Sequence, residues 1–180
     1  MTQIIKNKTV VNDDWQVFRP QAGDDLHAIS VPAGKHIVPL KLWLAQRETL
    51  LQRQQEKRDL AVWYASDDNA ADLQQDLALF ELVAIDFPKF ADGRGYSIAY
   101  YLRNRYQYQG ELRAIGDVLR DQLFYMKRVG FDAFAVRADK NIHDAVKSLS
   151  DFSEKYQAAW DEKNPLFRRA ERSAKTGVQE

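Results

Sequence analysis

No cysteine occurs in the 180 residues of this chain. That single absence excludes disulfides, thiolate nucleophiles, iron–sulfur ligation and zinc–cysteine sites. Long hydrophobic runs are missing as well. None approaches the ~18 consecutive apolar residues of a membrane helix, and the opening MTQIIKNKTVV lacks the apolar stretch of a secretory signal. A soluble, cytoplasmic chain with no membrane partner is therefore expected. Neither sign of charge is in excess, because 26 Lys and Arg face 26 Asp and Glu. No global field recruits nucleic acid, and any charged partner must be met by a local patch. A complete G-x-G-x-x-G fingerprint is absent. His27, His36 and His143 fall in two loops and a helix start, without H-x-x-E or H-E-x-x-H spacing, so neither a metal nor a cofactor is expected.

What is present reads as one α/β domain over 1–160, long enough to bury roughly 70% of the surface its unfolded chain exposes. Residues 1–19 hold short β-type runs, Gln3–Ile5, Thr9–Val11 and Trp15–Phe18, separated by turn residues, which predicts a small antiparallel meander. Residues 20–39 carry Pro, Gly and Asp-Asp without a period and predict a long connection. A helical pattern follows, with Leu40, Trp43, Leu44 and Leu51 on one side. Leu60–Ala65 is a continuous apolar run, the mark of a strand buried on both faces. Ser66-Asp67-Asp68 offers a cap for a helix bearing Ala70, Leu73, Leu77 and Phe80.

The unit then repeats: strand Leu82–Ile85 and helix Tyr96–Tyr108, strand Leu112–Ile115 and a helix striped by Leu119, Leu123 and Met126, strand Ala133–Val136 and a helix from about Asn141 to Tyr156. Four strand-then-helix units imply a parallel sheet with right-handed crossovers, either an open sheet or a half-barrel. Residues 161–180, rich in Arg and Lys with little to bury, are expected to be disordered.

In a parallel sheet, ligands gather beyond the carboxyl ends of the strands. That rule collects Ser66, Asp86, Lys89, the turn Asp92-Gly93-Arg94-Gly95-Tyr96-Ser97, Gly116, Asp117, Arg120, Arg137 and Asp139 on one rim. Two glycines around Arg94 at a helix start favour an anion on the exposed N–H groups, and the guanidinium adds a two-pronged donor for sulfate, phosphate or carboxylate. The competing reading makes Asp92 or Ser97 a helix cap and leaves the glycines to the turn alone. Asp86 and Asp117, at strand ends, are candidate acid/base groups, or else simple caps and arginine partners. Arg113 breaks the apolar alternation of its strand, which sets it on a sheet edge or in a polar cavity, the edge being the simpler expectation. The arginines of Tyr100–Tyr108 are expected to be solvated.

FPKFADGRGYSIAYYLRNRY, GELRAIGDVLRDQLFYMKRVGFDAF and VPLKLWLAQRETL strongly resemble domain-of-unknown-function family 934, over roughly residues 30 to 157. These are bacterial proteins described as putative oxidoreductases or accessory proteins of sulfite reduction. The resemblance implies a place in assimilatory sulfite reduction, with sulfite reductase, its electron donor or a sulfur oxyanion as partner. It carries over no residue roles. With no cysteine and no dinucleotide fingerprint, an accessory role is expected ahead of electron transfer by the chain itself. The alternatives are a small-molecule enzyme acting on an anionic substrate and a scaffold whose Arg-rich tail docks a partner.

Overall fold

The computed structural model describes residues 2–152 and 156–164. Most of the expected disordered tail, from 165 onward, lies outside the described residues. Eight strands form one sheet: β1 (Thr2–Lys6), β2 (Thr9–Asp13), β3 (Gln16–Val17), β4 (His36–Pro39), β5 (Leu60–Tyr64), β6 (Leu82–Phe87), β7 (Glu111–Gly116) and β8 (Ala133–Phe134). Their order is β2-β1-β8-β7-β6-β5-β4-β3. From β3 to β8 every pairing is parallel, whereas β1 pairs antiparallel with both β2 and β8.

The sheet is thus larger than four βα units. The N-terminal runs are not a meander: β1 and β2 form a hairpin at one edge, and β3 joins the opposite edge in parallel with β4. The connection read over 20–39 ends earlier, because His36 begins β4 and is buried in the strand instead of lying in a loop.

Curling follows from chain length. Asp13 ends β2 and Gln16 begins β3, yet the two strands occupy opposite edges. In a flat sheet those edges stand ~34 Å apart at ~4.8 Å per strand, while three Cα–Cα steps reach at most ~11 Å. The sheet therefore bends into a half-barrel form whose edges are drawn together by Asp14 and Trp15.

The helices are α1 (Leu40–Ala45), α2 (Arg47–Lys57), α3 (Arg94–Tyr100), α4 (Arg120–Val129) and α5 (Ile142–Ala145). Several are shorter than their apolar spacing predicts. The segment after β5 makes two 3₁₀ turns, Ala70–Leu73 and Leu77–Leu79, the first capped by Asn69 and not by Ser66 or Asp67. α3 passes into a π-helical turn over Tyr101–Arg105, and α5 into a 3₁₀ turn ending at Ser150. Leu119 precedes α4, which stops at Gly130 in the left-handed region. Leu44, expected on the apolar side of its helix, is exposed, as are Tyr101, Phe152 and Tyr156.

Period-two alternation divides the strands between two interiors. Outward residues such as Val62, Tyr64, Val83, Ile85, Phe87, Leu112 and Phe134 pack beneath the helices in the main core. Phe87 and Phe134 each gain about 1.5–3 kcal/mol by burial there. Residues of the opposite parity, Ile37, Ala61, Leu82, Ala84 and Ile115, fill the inside of the curl with Trp15 and Trp63.

Arg113 belongs to this inner set. It is not on an edge, since β7 is flanked by β6 and β8, and its side chain is only 3% exposed. It donates to Asp13 at 2.9 Å and Glu111 at 2.7 Å, while Lys6 bridges Glu111 at 2.6 Å. These four charges form a floor at the end of the curl where β7 begins. Arg103 likewise is buried and not solvated: it donates to the carbonyls of Gly130, Tyr108 and Gly110 and to Asp132. It gathers those acceptors from two loops at the point where the helix opens into a π turn.

Candidate functional site

The carboxyl ends of β3, β6, β7 and β8 converge on a 370 Å³ pocket at the mouth of the curl, lined by Arg19, Asp86, Phe87, Pro88, Gly116, Asp117 and Arg137. Each side chain arrives for a local reason. Asp86 shares the inward parity of Leu82 and Ala84, so the strand itself aims it at the interior, one step before β6 ends. Arg19 lies just beyond β3, stacks over Trp63 at 4.9 Å and spans the mouth to Asp86, donating from both terminal nitrogens at 2.6 and 3.3 Å. Trp63 is itself fixed by its indole N–H on the Phe18 carbonyl.

Gly116 makes the fourth side possible. Its φ of +92° disfavours any side chain, and a Cβ there would press on the Phe87 carbonyl and lie 2.7 Å from Asp86 Oδ1. The chain then turns so that Asp117 N–H reaches the Phe87 carbonyl at 2.7 Å. The Asp117 carboxylate accepts from Phe90 N–H at 2.9 Å and Arg137 at 2.7 Å. Arg137 also grips Asp139 through two bonds of 2.6 and 3.0 Å. Hydrogen bonding to Asp139 and Asp117 raises the Arg137 pKa, and the same contact holds Asp139 well below the usual carboxylate range.

The glycine turn stands apart from this pocket. Arg94 folds back on Asp92, which it contacts through Nε at 3.0 Å and Nη2 at 2.7 Å, and also donates to Ser66 Oγ at 2.8 Å. The Arg94 side-chain and backbone donors hold the Asp92 pKa far below normal. Asp92 accepts from Arg94 N–H and so serves the start of α3. Gly95 is buried, and a Cβ there would sit 2.9 Å from Ile85 and Phe87, so the missing side chain lets α3 approach the sheet closely. Gly93 is exposed beside Tyr96. Tyr96 stacks on Phe87 and Tyr125. Lys89 and Ser97 are exposed, and Arg120 pairs with Asp144 at 2.6 Å on the surface.

Of the rim residues expected from sequence, the pocket unites Asp86, Gly116, Asp117 and Arg137, while Lys89, Arg94, Ser97 and Arg120 do not line it. Arg19 was not anticipated. The signal that finds it is the parallel sense of β3, which turns Phe18-Arg19 into a strand-end pair, and local sequence carries no mark of that sense.

The family described as bacterial protein of unknown function (DUF934) matches residues 61–167, a span that contains Asp86, Asp117 and Arg137. No curated protein matches the chain.

Proposed function

The chain belongs to this family of bacterial proteins of unknown function, and from that premise we propose that it is an accessory protein of assimilatory sulfite reduction that binds a small anionic ligand at the mouth of its curled sheet. The observation that carries the binding reading is the 370 Å³ pocket at the carboxyl ends of the strands, with the guanidinium groups of Arg19 and Arg137 on its wall. Both side chains are close to half exposed, at 48% and 41%, so both are reachable from solvent. Planar two-pronged donors suit sulfite, sulfate, phosphate or a carboxylate. The pathway is supported by the sequence resemblance. An accessory role is favoured over catalysis because Asp86 and Asp117, the available acid/base groups, are each held by an arginine.

Two measurements test this. Calorimetric titration of the full chain with sulfite, sulfate and phosphate is expected to show millimolar or tighter binding that weakens at least tenfold in Arg19→Ala or Arg137→Ala. Binding that ignores both substitutions removes the mouth as the site. Deletion of the gene is expected to impair growth on sulfate and on sulfite, with rescue by sulfide or cysteine. Equal growth on all four sources removes the pathway.

A further inference from the structure

We infer that the ligand taken at the mouth is a zwitterion of the α-amino-acid type, carrying an ammonium as well as an anionic group. This rests on the mouth being the ligand site and specifies what that site selects. Facing the pocket are two cations, Arg19 and Arg137, and two anions, Asp86 and Asp117, so the local charge balances before any ligand arrives.

The pairs differ in how firmly they are held. Asp117 accepts from Arg137 on one oxygen and from Phe90 N–H on the other, and Arg137 keeps Asp139 as a second partner. Arg19 and Asp86, by contrast, bond only to each other among the described side-chain contacts of the mouth, with Arg19 lying on the Trp63 face and about half exposed. The exchangeable pair is therefore Arg19–Asp86.

What opens that pair is decided by what is left behind. An anion that takes Arg19 strands the Asp86 carboxylate, whose side chain is only 10% exposed, and an unpaired buried charge is costly. A cation that takes Asp86 leaves Arg19, which is half exposed, to water, but sets a second positive charge beside the guanidinium with no anion to offset it. A molecule with both groups inserts between them: its carboxylate accepts from Arg19 while its ammonium donates to Asp86. Both charges keep a partner, and the net charge of the mouth is unchanged. The pocket volume falls within the roughly 300–1,000 Å³ of small-molecule sites.

The experiment screens the full chain by calorimetry against each of the standard amino acids, then compares the tightest binder with its decarboxylated amine and its deaminated acid. The expected result is that the zwitterion binds at least tenfold more tightly than either half. Asp86→Asn, which removes the charge while keeping the shape, is expected to cost at least tenfold for the zwitterion and to leave or improve binding of the acid. Arg19→Gln supplies a second variant on the solvent-exposed side of the pair, and it is expected to weaken zwitterion and acid together. If the acid or inorganic sulfite binds as tightly as every amino acid, the zwitterion is overturned and the anion reading stands. If no amino acid binds at millimolar concentration, the zwitterion again falls. Silence of both the amino acids and the inorganic anions removes the mouth site altogether.

Discussion

The two ends of the curled sheet use the same chemistry to opposite effect. At the floor, Arg113 pairs with Asp13 and Glu111, with side chains no more than 8% exposed. At the mouth, Arg19 and Arg137 pair with Asp86 and Asp117 around an open pocket, with the arginines close to half exposed. Burial separates a strut from a site. An ion pair sealed from water is held by the cost of leaving either charge alone, while a half-solvated pair is worth little by itself and can be exchanged. The floor ties β7 to the edge strand β2 and so fixes the curl, and the mouth is left free to trade partners.

Removing the floor arginine is the severest way to break this contrast. Arg113→Ala leaves the buried Asp13 carboxylate without its cation and Glu111 with Lys6 alone, and is expected to cost about 3–5 kcal/mol in chemical denaturation. A loss below about 1 kcal/mol would mean that water reaches the floor and that the two ends are alike. Gly116→Ala comes next. It forces a side chain into the φ +92° position against the Phe87 carbonyl and Asp86, with an expected loss of about 1–3 kcal/mol and altered ligand binding at the mouth. Unchanged stability would show that the turn relaxes freely.

Arg19→Ala sharpens the comparison from the other side. Asp86, at 10% side-chain exposure, loses its partner, but the half-exposed arginine leaves an opening through which water reaches the carboxylate, so the expected loss is about 1–3 kcal/mol, below that for Arg113, and equal losses from the two substitutions would erase the distinction. The smallest effect concerns protons at the rim. Asp139 is held below its ordinary value of about 3.9 by hydrogen bonds from Arg137 and Lys140. A depressed folded-state pKa means that its contribution to stability is present above the unfolded value and is lost as pH falls through the folded one. Carbon-detected NMR titration is expected to place the Asp139 midpoint below the ordinary value, and Arg137→Gln is expected to raise it. A midpoint that does not move would show that the Arg137 contact is not formed in solution.

Much of the outer architecture was legible in the residues themselves. Leu60–Ala65 and Leu82–Ile85 announce buried strands because apolar side chains continue on both faces, and Leu112–Ile115 does so apart from Arg113. The rule that ligands gather at the carboxyl ends then brings Asp86, Asp117 and Arg137 together without coordinates. Arg113 and Arg103 were misread because a charged residue in sequence looks solvated until its acceptors are known, and those acceptors come from distant strands and loops. Arg94 had the opposite fate: its prominence between two glycines suggested a free donor, while Asp92, two residues away, already satisfies it.

The sequence by itself determined the α/β class, the division of the buried strands into two faces and the absence of cysteine chemistry, because periodicity and composition are local properties. Only the tertiary structure decided that β1 and β2 form an antiparallel hairpin beside β8, that β3 joins the far edge in parallel, and that the link at Asp14–Trp15 draws the edges together. Strand direction and partner depend on contacts between residues far apart in the chain, such as Asp13 with Arg113 and Arg19 with Asp86. Those contacts fix which arginine is sealed in the floor and which one stands open at the mouth.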